Sequence, residues 1–441
     1  MGSEWRKTSF AQLCDIKRGA SPRPIQDWVA STGIPWIKIS DANASRSRFI
    51  IETRECIKVA GRSKSVTVYP GDLILSNSAT PGIPKFLGIE ACIHDGWLLL
   101  RNFRGLDKQF AYYLLLTQRE ALIGQGNGSV FTNLKTEILK NHEVTIPPLD
   151  EQHRIAEFLG WIDERSEIIH STNTTLEAIT QALFKSWFVN FDPVHAKAEG
   201  REPEAMDAAT AALFPSEFEE SELGLIPKGW QVSTLSEHVD AERGLSYKGA
   251  GLTSAGDGLP MHNLNSVLEG GGYKYAGIKY YNGAYKERHL AEAGDIIVAN
   301  TEQGHHHRLI GFPAIVPHRF TNGIFSHHLY RVRAKKDSPI ARHWLYYCLM
   351  TSAVRDQIIG CSNGSTVNML KPAGLQIPQM VVPPAKLCQA FDGIAEDLRT
   401  KIEGSVDRAE TLAQLRDTLL PRLISGKLRL PEARELAEAH A

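Results

Sequence analysis

The chain has 441 residues, 42% of which are hydrophobic, and its formal net charge is −1. This length and composition allow two or three domains with buried cores, and they exclude a disordered or fibrous protein. The sequence has no apolar segment typical of a signal peptide or a membrane span, and its six cysteines form no C-x-x-C pair, so we expect reduced thiols in a cytoplasmic protein.

Charge is distributed unevenly along the chain. Residues 1–146 carry 19 Lys+Arg against 13 Asp+Glu, and residues 221–380 carry 16 against 12. The intervening residues 147–220 carry only 5 Lys+Arg against 15 Asp+Glu. Basic segments can face phosphates, whereas acidic segments are expected to avoid them. The near-zero total therefore does not exclude DNA binding by the two basic segments.

Residues 1–146 are predicted to form a first domain of mixed α+β structure. Its clearest strands are IPWIKISD at 34–41 and YPGDLILSNS at 69–78, and its clearest helix is FAYYLLLTQREALI at 110–123. Gly and Pro interrupt the β-rich runs, which indicates long loops on a rigid sheet. Loops of this kind commonly carry variable contacts to a ligand.

Residues 147–192 are predicted to form one long helix that begins after Pro147 and Pro148, with Asp150 as a suitable N-cap. Apolar residues recur at alternating spacings of four and three, which is typical of a coiled-coil seam, and polar Ser166, Asn173 and Thr180 recur within it. The predicted seam residues are Ile155, Leu159, Ile162, Ile169, Asn173, Leu176, Leu183 and Trp187. The alternative is an ordinary amphipathic helix that packs only on its own domain.

Residues 193–229 are predicted to be an acidic connector, and residues 230–380 a second domain similar to the first. The order of motifs repeats: KRGAS at 17–21 matches ERGLS at 242–246, and the two strands of the first domain match LPMHNLNS and EAGDIIVANT. The aromatic helix matches ARHWLYYCLMTSAVRDQII, and GNGSVFTNL matches SNGSTVNML. A duplication of this length predicts two similar domains related by a pseudo-two-fold repeat.

Residues 381–441 are predicted to hold a second long helix and a C-terminal tail. Its seam includes Leu398, Ile402, Leu412 and Leu419, and only Arg416 interrupts the apolar pattern. Pro421 predicts a kink or displacement of the last turn. A helix of about 40 residues is about 60 Å long, so two such helices packed together would form a rigid spacer.

At this point the sequence resembles a known family. The segments that carry the resemblance are IPPLDEQHRIAEFLGWIDERSE, LEAITQALFKSWFVNFDPVHAKAEGR, FEESELGLIPKGW and LRDTLLPRLISGKL. In their order and their placement around two basic domains, they resemble the specificity subunit of type I restriction-modification enzymes. The resemblance covers nearly the whole chain, although the second copy reads VVPPAKLCQ and lacks the counterpart of Glu151 and Gln152. That difference puts the equivalence of the two partner contacts in question.

The resemblance implies two target-recognition domains that read the halves of a split, asymmetric site in double-stranded DNA. It also implies that the two long helices form an antiparallel coiled coil, set the distance between half-sites and bind modification (methyltransferase) subunits, two of them by expectation. A restriction subunit would join the full complex. We expect no cofactor on this chain, since S-adenosylmethionine would bind the modification subunits, and ATP and magnesium the restriction subunit.

The sequence carries no recognisable catalytic motif, which disfavours a nuclease or methyltransferase acting alone. It has no P-loop, no G-x-G-x-x-G that opens a helix, and no Asn-Pro-Pro-aromatic element. NFDPV at 190–194 is interpreted as a helix stop. The run His305, His306 and His307 has no suitably spaced partner for a metal site, so we expect no metal there. A loop that contacts DNA is favoured, and a solvated turn is the alternative.

Base contact is assigned to polar side chains of the two basic domains, because Asn and Gln suit adenine whereas Arg and Lys suit guanine. The first-domain candidates are Lys38, Asn43, Arg46, Arg48, Asn77, Asn127 and Ser129. The second-domain candidates are His262, Asn263, Asn265, Asn300, Gln303, His305, Arg308, Asn363 and Ser365. The NGS loops at 127–129 and 363–365 could instead be glycine turns. A non-DNA adaptor with two domains on a coiled-coil stalk remains the alternative function.

Overall fold

The computed structural model describes residues 5–45, 47–125, 133–304, 306–364 and 367–438. The chain forms two compact units. Unit 1 combines residues 1–172 with residues 405–441, and unit 2 consists of residues 173–404. Each unit therefore contains one of the predicted basic domains together with part of each predicted long helix.

The first half of the chain contains the elements β1 to β12 and α1 to α5. The strands are β1 Arg6–Ser9, β2 Asp15–Arg18, β3 Val29–Ala30, β4 Ile34–Ile37, β5 Phe49–Ile50, β6 Cys56–Ile57, β7 Val66–Val68, β8 Leu73–Ser76, β9 Pro84–Leu87, β10 Ala91–Ile93, β11 Trp97–Arg101 and β12 Glu143–Ile146. The helices are α1 Phe10–Leu13, α2 Ile39–Ala44, α3 Lys108–Gly124, α4 Thr136–Asn141 and α5 Leu149–Phe188.

The second half contains the elements β13 to β28 and α6 to α12. The strands are β13 Phe218–Ser221, β14 Gly224–Pro227, β15 Gln231–Thr234, β16 Val239–Arg243, β17 Leu252–Thr253, β18 Leu259–His262, β19 Lys279–Tyr281, β20 Leu290–Ala291, β21 Ile296–Ala299, β22 Thr301–Gln303, β23 Pro313–Ile315, β24 Gly323–Phe325, β25 Leu329–Ala334, β26 Ser362–Asn363, β27 Val367–Leu370 and β28 Gln379–Val382. The helices are α6 Asp192–Ala198, α7 Ala208–Ala212, α8 Leu235–His238, α9 Arg342–Met350, α10 Ser352–Gly360, α11 Ala385–Ile424 and α12 Leu430–Glu438.

The two units share one sheet topology, which confirms the predicted α+β repeat. Unit 1 has sheets of order β2-β11-β8-β9-β5 and β3-β6-β4-β10-β7. Unit 2 has the matching orders β16-β25-β21-β23 and β17-β19-β18-β24-β20. The single parallel pair of the second sheet, β4 with β10, recurs as β18 with β24. In each basic domain the first strand pairs with the last, as β1 with β12 and β15 with β28.

The central strand of the first sheet is buried on both faces in each unit, which explains its continuous apolar sequence. In β8, Leu73 and Leu75 face the cluster that contains α3 and α5, whereas Ile74 faces the cluster of the other sheet. In β21, Ile296 packs with the helices and Ile297 with the other sheet. Side chains of a strand alternate between faces, so one strand supplies both cores.

Two of the predicted elements differ in detail from the structure. The strand predicted at 34–41 ends at Ile37 and is followed by α2, because the Asp41 carboxylate accepts a hydrogen bond from the Lys38 backbone N–H at 2.7 Å. The helix predicted at 341–359 is divided into α9 and α10 at Thr351, which has an extended ψ of 144° and caps α10. Side-chain capping of a local helix start competes with a continuous element.

The two long helices are each 40 residues long. In unit 1, Ile155, Leu159 and Ile162 of α5 share a core with Leu412, Leu419 and Leu423 of α11. Arg416, the predicted interruption of the seam, is only partly buried and pairs with buried Asp163 at 2.8 Å. Pro421 does not end α11, which continues to Ile424.

In unit 2, the remaining parts of the same helices pack together as antiparallel segments. The Asn173 side-chain amide donates to the Ile402 carbonyl at 3.5 Å, and the Phe184 ring lies 5.4 Å from the Phe391 ring. Residue numbers rise along α5 as they fall along α11, which defines the antiparallel arrangement. The helix stop predicted at NFDPV is present, since α5 ends at Phe188 and α6 begins at Asp192.

No helix in the described part of the chain is long and apolar enough to cross a membrane.

The buried pair of Asp163 and Arg416 yields a stability prediction for unit 1. Asp163 also accepts a hydrogen bond from the Tyr113 hydroxyl at 2.6 Å and lies 3.7 Å from the guanidinium of Arg48, which is 7% exposed. Asp163→Ala would remove the carboxylate that buried Arg48 and partly buried Arg416 share. We expect the free energy of unfolding to fall by about 3–5 kcal/mol.

The measurement is urea unfolding followed by tryptophan fluorescence. Asp417→Ala is the matched control, because Asp417 pairs with the same Arg416 but is 64% exposed, and exposed ion pairs contribute about 0–1 kcal/mol. Equal unfolding midpoints for the two variants would contradict a structural role for Asp163.

Candidate nucleic-acid interface

Arg48 is turned inward in the structure, contrary to its prediction as a base-reading residue. Its guanidinium donates to the Tyr113 hydroxyl at 3.2 Å and to the Glu164 carboxylate at 3.2 Å. Burial alone would lower the pKa of Arg48, but the surrounding Tyr113, Asp163 and Glu167 raise it overall. Arg48 therefore ties the first domain to α5 and is not available to DNA.

Asn77 and Asn300 are equivalent residues with an equivalent structural role. The Asn77 side chain donates to the Asp95 carbonyl at 3.0 Å, and the Asn300 side chain donates to the His327 carbonyl at 3.0 Å. Both side chains are buried. Each asparagine therefore joins the end of a central strand to the same neighbouring loop, which corrects the prediction that they contact bases.

The loop that accepts these hydrogen bonds also lies close to the glycine that both copies share, in KRGAS and in ERGLS. A Cβ atom on Gly19 would lie 2.1 Å from the His94 carbonyl oxygen, and a Cβ atom on Gly244 would lie 2.2 Å from the Ser326 carbonyl oxygen. Only glycine allows this close backbone approach in each domain. The best-matched motifs of the repeat thus build the scaffold of the domains.

His262 is fully buried, and Asn263 is largely buried but lines a cavity of unit 2. The His262 Nδ1 lies 2.9 Å from the Tyr273 hydroxyl, and the Asn263 side chain accepts from the Asn265 backbone N–H at 2.9 Å. Asn263 caps the short turn Leu264–Ser266 in the position that Lys38 occupies before α2. His262 is corrected for the same reason as Asn77 and Asn300, because its ring serves the fold. Base contact by Asn263 stays a prediction, since its side chain caps a turn and also lines the cavity.

The remaining described candidates reach the surface. Lys38 is partly exposed and pairs with Glu55 at 2.6 Å, and exposed Asn43 donates to the Thr80 hydroxyl at 3.0 Å. The exposed second-domain candidates are Asn265, Gln303, Arg308 and Asn363. Arg46, Asn127, Ser129, His305 and Ser365 lie outside the described residues.

In unit 2, the candidates Asn263 and Asn265 line one concave surface, which we call the second-domain cavity. Its volume is about 680 Å³, and its lining includes Tyr247, Asn265, Lys274, Lys279 and Leu309. The Lys274 ammonium donates to the Asn265 side-chain oxygen at 2.7 Å, which fixes an amide and a cation together at the wall. Aromatic, amide and cationic groups that converge in a cavity suit contact with bases and phosphates.

At the corresponding surface of unit 1, two loops meet through a hydrogen bond between uncharged side chains. The loop after β8 touches the end of α2 through Asn43 and Thr80. In unit 2, the loop after β21 touches the segment after the matching turn through Arg308 and Glu269, whose charged atoms lie 3.7 Å apart. The same two loops therefore contact each other in each domain, but the side chains that make the contact differ.

Sequence reasoning missed several residues of this surface. Tyr247, Lys274 and Lys279 lie in segments where the two copies do not align, and no motif marks them. The failure of the two copies to align in these segments could have indicated these residues, because a recognition surface is expected to vary where the scaffold does not. Among the described residues, no three His, Cys, Asp or Glu side chains converge as metal ligands.

Five of the predicted spacer residues share one core that joins the two long helices, namely Ile155, Leu159, Ile162, Leu412 and Leu419. The buried members of the predicted set are Ile155, Leu159, Ile162, Trp187, Ile402, Leu412 and Leu419. Those with partial burial are Ile169, Asn173, Leu176, Leu183 and Leu398. Thr180, a polar residue of the seam, is buried, and its hydroxyl donates a hydrogen bond to the Leu176 carbonyl at 2.9 Å. The hydroxyl therefore has its partner within α5.

Comparison with known proteins finds similar sequences. The family model for the type I restriction modification DNA specificity domain matches residues 2–178. The chain is 25% identical over 439 residues to the type I restriction enzyme MjaIX specificity subunit of Methanocaldococcus jannaschii, covering 97% of this chain and 94% of that protein. It is 22% identical over 490 residues to the HindI specificity subunit of Haemophilus influenzae, covering 97% and 100% of the two chains.

A solved structure has the same fold. The crystal structure of a type I restriction-modification system S subunit from M. genitalium covers 96% of each chain, with 17% identity and a TM-score of 0.53.

The burial of His262 predicts a pH dependence of stability in unit 2. Removal from water lowers the pKa of His262 from its ordinary value of 6.5 to about 4. Between these values the unfolded chain binds a proton that the folded chain does not, so stability falls as pH decreases from about 6.5 to about 4. We expect His262→Gln to flatten this part of the stability profile.

The measurement is the thermal unfolding midpoint of the wild type and of His262→Gln across this pH range. The matched control is His306→Gln, because His306 is exposed. An unchanged slope for His262→Gln would show that the buried imidazole does not contribute.

Proposed function

Because residues 2–178 match the family model for the type I restriction modification DNA specificity domain, we propose that the chain is the DNA-specificity subunit of a type I restriction-modification system. Each unit supplies one target-recognition domain, and each domain reads one half of a bipartite, asymmetric site in double-stranded DNA. The DNA sequence is recognised by this chain, and the chemical steps belong to its partners.

The observation that carries the proposal is the contrast between scaffold and surface in the two domains. Equivalent asparagines, glycines and strand orders recur in both units. The exposed side chains beside the matching loops differ, with Asn43 and Thr80 in one unit and Glu269 and Arg308 in the other. Two domains with one scaffold and different surfaces suit the reading of two different half-sites.

The long helices are assigned to spacing and partner binding. Their seam residues pack together, while α5 leaves Trp161 and Ile168 of unit 1 exposed, at 48% and 64%. Exposed apolar side chains on a charged helix favour contact with another protein. We assign this surface to modification (methyltransferase) subunits, two of them in the complex, and a restriction subunit completes the nuclease.

The chain has no catalytic role and no cofactor of its own in this proposal. S-adenosylmethionine belongs to the modification subunits, and ATP and magnesium belong to the restriction subunit. Support comes from the absence of a cofactor-binding motif in the full sequence.

Domain exchange tests the proposal. Residues 1–146 are replaced by the matching domain of another family member, chosen to keep Arg48 and Tyr113 because these residues contact α5 within unit 1. Since each domain reads its own half-site, we expect one half of the target to change and the other to persist. The measurement maps methylated adenines in cells that carry the complete system.

A catalytically inactive modification subunit serves as the control for background methylation. Simultaneous change of both half-sites would refute the modular reading, and a target unaffected by the exchange would refute DNA recognition by this domain.

A second prediction concerns the spacer. Insertion of one heptad into both α5 and α11 lengthens each helix by about 10 Å, because an α-helix rises 1.5 Å per residue. We expect the gap between half-sites to grow by about three base pairs, since B-DNA rises 3.4 Å per base pair. The same methylation map measures it, and an unchanged gap would remove the spacer role. Insertion into α5 alone is the control, because it shifts the seam out of register.

A further inference from the structure

We propose that the loop between β21 and β23 is a specificity-determining element of the second domain, with Gln303, His306 and Arg308 as its DNA-contacting side chains and Glu302 as its positioning residue. The inference rests on the proposed DNA-reading function and adds to it the residues that read one half-site. Its ligand is the exposed edge of base pairs and the adjacent phosphates of duplex DNA.

Comparison of the two domains isolates this loop. It lies between Asn300 and Gly311 in unit 2, and its counterpart lies between Asn77 and Gly82 in unit 1. The bounding glycines are equivalent: the Gly82 N–H donates to the Ser76 carbonyl at 2.8 Å, and the Gly311 N–H donates to the Ala299 carbonyl at 2.8 Å. Four residues separate the first pair and ten the second. The second domain thus carries a six-residue extension on a shared scaffold.

A buried carboxylate holds the end of this extension. Glu302 is 7% exposed and accepts hydrogen bonds from the backbone N–H groups of Arg308, Leu309 and Ile310 at 2.8, 3.0 and 3.0 Å. Burial alone would raise the pKa of Glu302, but the three N–H donors lower it overall, so the carboxylate is ionised at neutral pH. Charge-assisted hydrogen bonds of this kind are stronger than neutral ones. They fix the backbone from which the Arg308 side chain extends.

Two further contacts hold the rest of the loop. The Asn368 side chain donates to the Gly304 carbonyl at 2.7 Å, and Arg355 donates to the His307 carbonyl. The Arg355 guanidinium also lies 3.8 Å from the centre of the Phe312 ring. A solvated turn does not require three polar side chains to hold its backbone, whereas a recognition loop gains affinity when its backbone is fixed before binding.

These contacts fix the backbone of the loop, and three of its side chains that can donate hydrogen bonds remain exposed to a ligand. Gln303, His306 and Arg308 are exposed, and His305 lies outside the described residues. Among the described residues, Arg308 forms an ion pair with exposed Glu269 at 3.7 Å. Exposed ion pairs contribute little to stability, so the guanidinium can exchange partners. Arg suits guanine or phosphate, and Gln suits adenine. Leu309 of the same loop lines the second-domain cavity, so loop and cavity form one continuous surface.

The experiment selects bound duplexes from a random-sequence DNA library. The subunit is assembled with its modification subunits, and the base preference at every position is compared between wild type and variants. The variants are Gln303→Ala, Arg308→Ala and Glu302→Gln, and the control is Glu287→Gln, an exposed carboxylate elsewhere in unit 2. We expect Arg308→Ala and Gln303→Ala each to weaken the preference roughly 10- to 100-fold at one or two positions of a single half-site.

Glu302→Gln separates positioning from general stability. As a positioning residue, it should relax the same positions as Arg308→Ala while the other half-site keeps its full preference. Equal loss in both half-sites, or unchanged preferences in Gln303→Ala and Arg308→Ala, would overturn the inference. The exposed variants decide the outcome even where Glu302→Gln fails to fold. A wild-type complex that selects no sequence would instead refute the proposed function itself.

Discussion

The contact between α5 and α11 is the interaction on which both units depend. Within unit 1, its apolar residues join the same core as the helix and central strands of the first domain. Within unit 2, Phe184 and Phe391 do the same for the second domain. The hydrophobic effect favours this arrangement because neither helix could bury its apolar stripe alone. Arg416 and Asp163 add a constraint on register, since an ion pair that is partly removed from water tolerates little displacement.

Much of this fold was predictable from the sequence because the determining patterns are long. The period of the seam extends over about ten positions in each helix, and the repeat of motifs extends over most of each domain. Short elements were less predictable. Asp41 and Thr351 start helices by local capping inside segments whose composition suggests one continuous element. Such caps depend on a single side chain and leave no periodic signal.

The candidate site was less predictable than the fold, and for a specific reason. Asn77 and Asn300 have the right chemistry for adenine, yet both are used to hold a loop. Side-chain chemistry alone does not distinguish a base contact from a structural hydrogen bond. The duplication supplies the missing information, because residues with identical contacts in both domains belong to the scaffold. Glu302 was missed since its role depends on three backbone N–H groups that only the folded loop brings together.

The division of the chain into units has a consequence for its biosynthesis. Unit 2 is continuous in sequence, whereas unit 1 needs residues 405–441 to complete it. A ribosome delivers the first domain early, but the Leu412, Leu419 and Leu423 side chains that cover its part of α5 emerge last. The apolar face of that helix segment therefore lacks its α11 partner until unit 2 has been synthesised, and transiently exposed apolar surface of this kind is prone to aggregation.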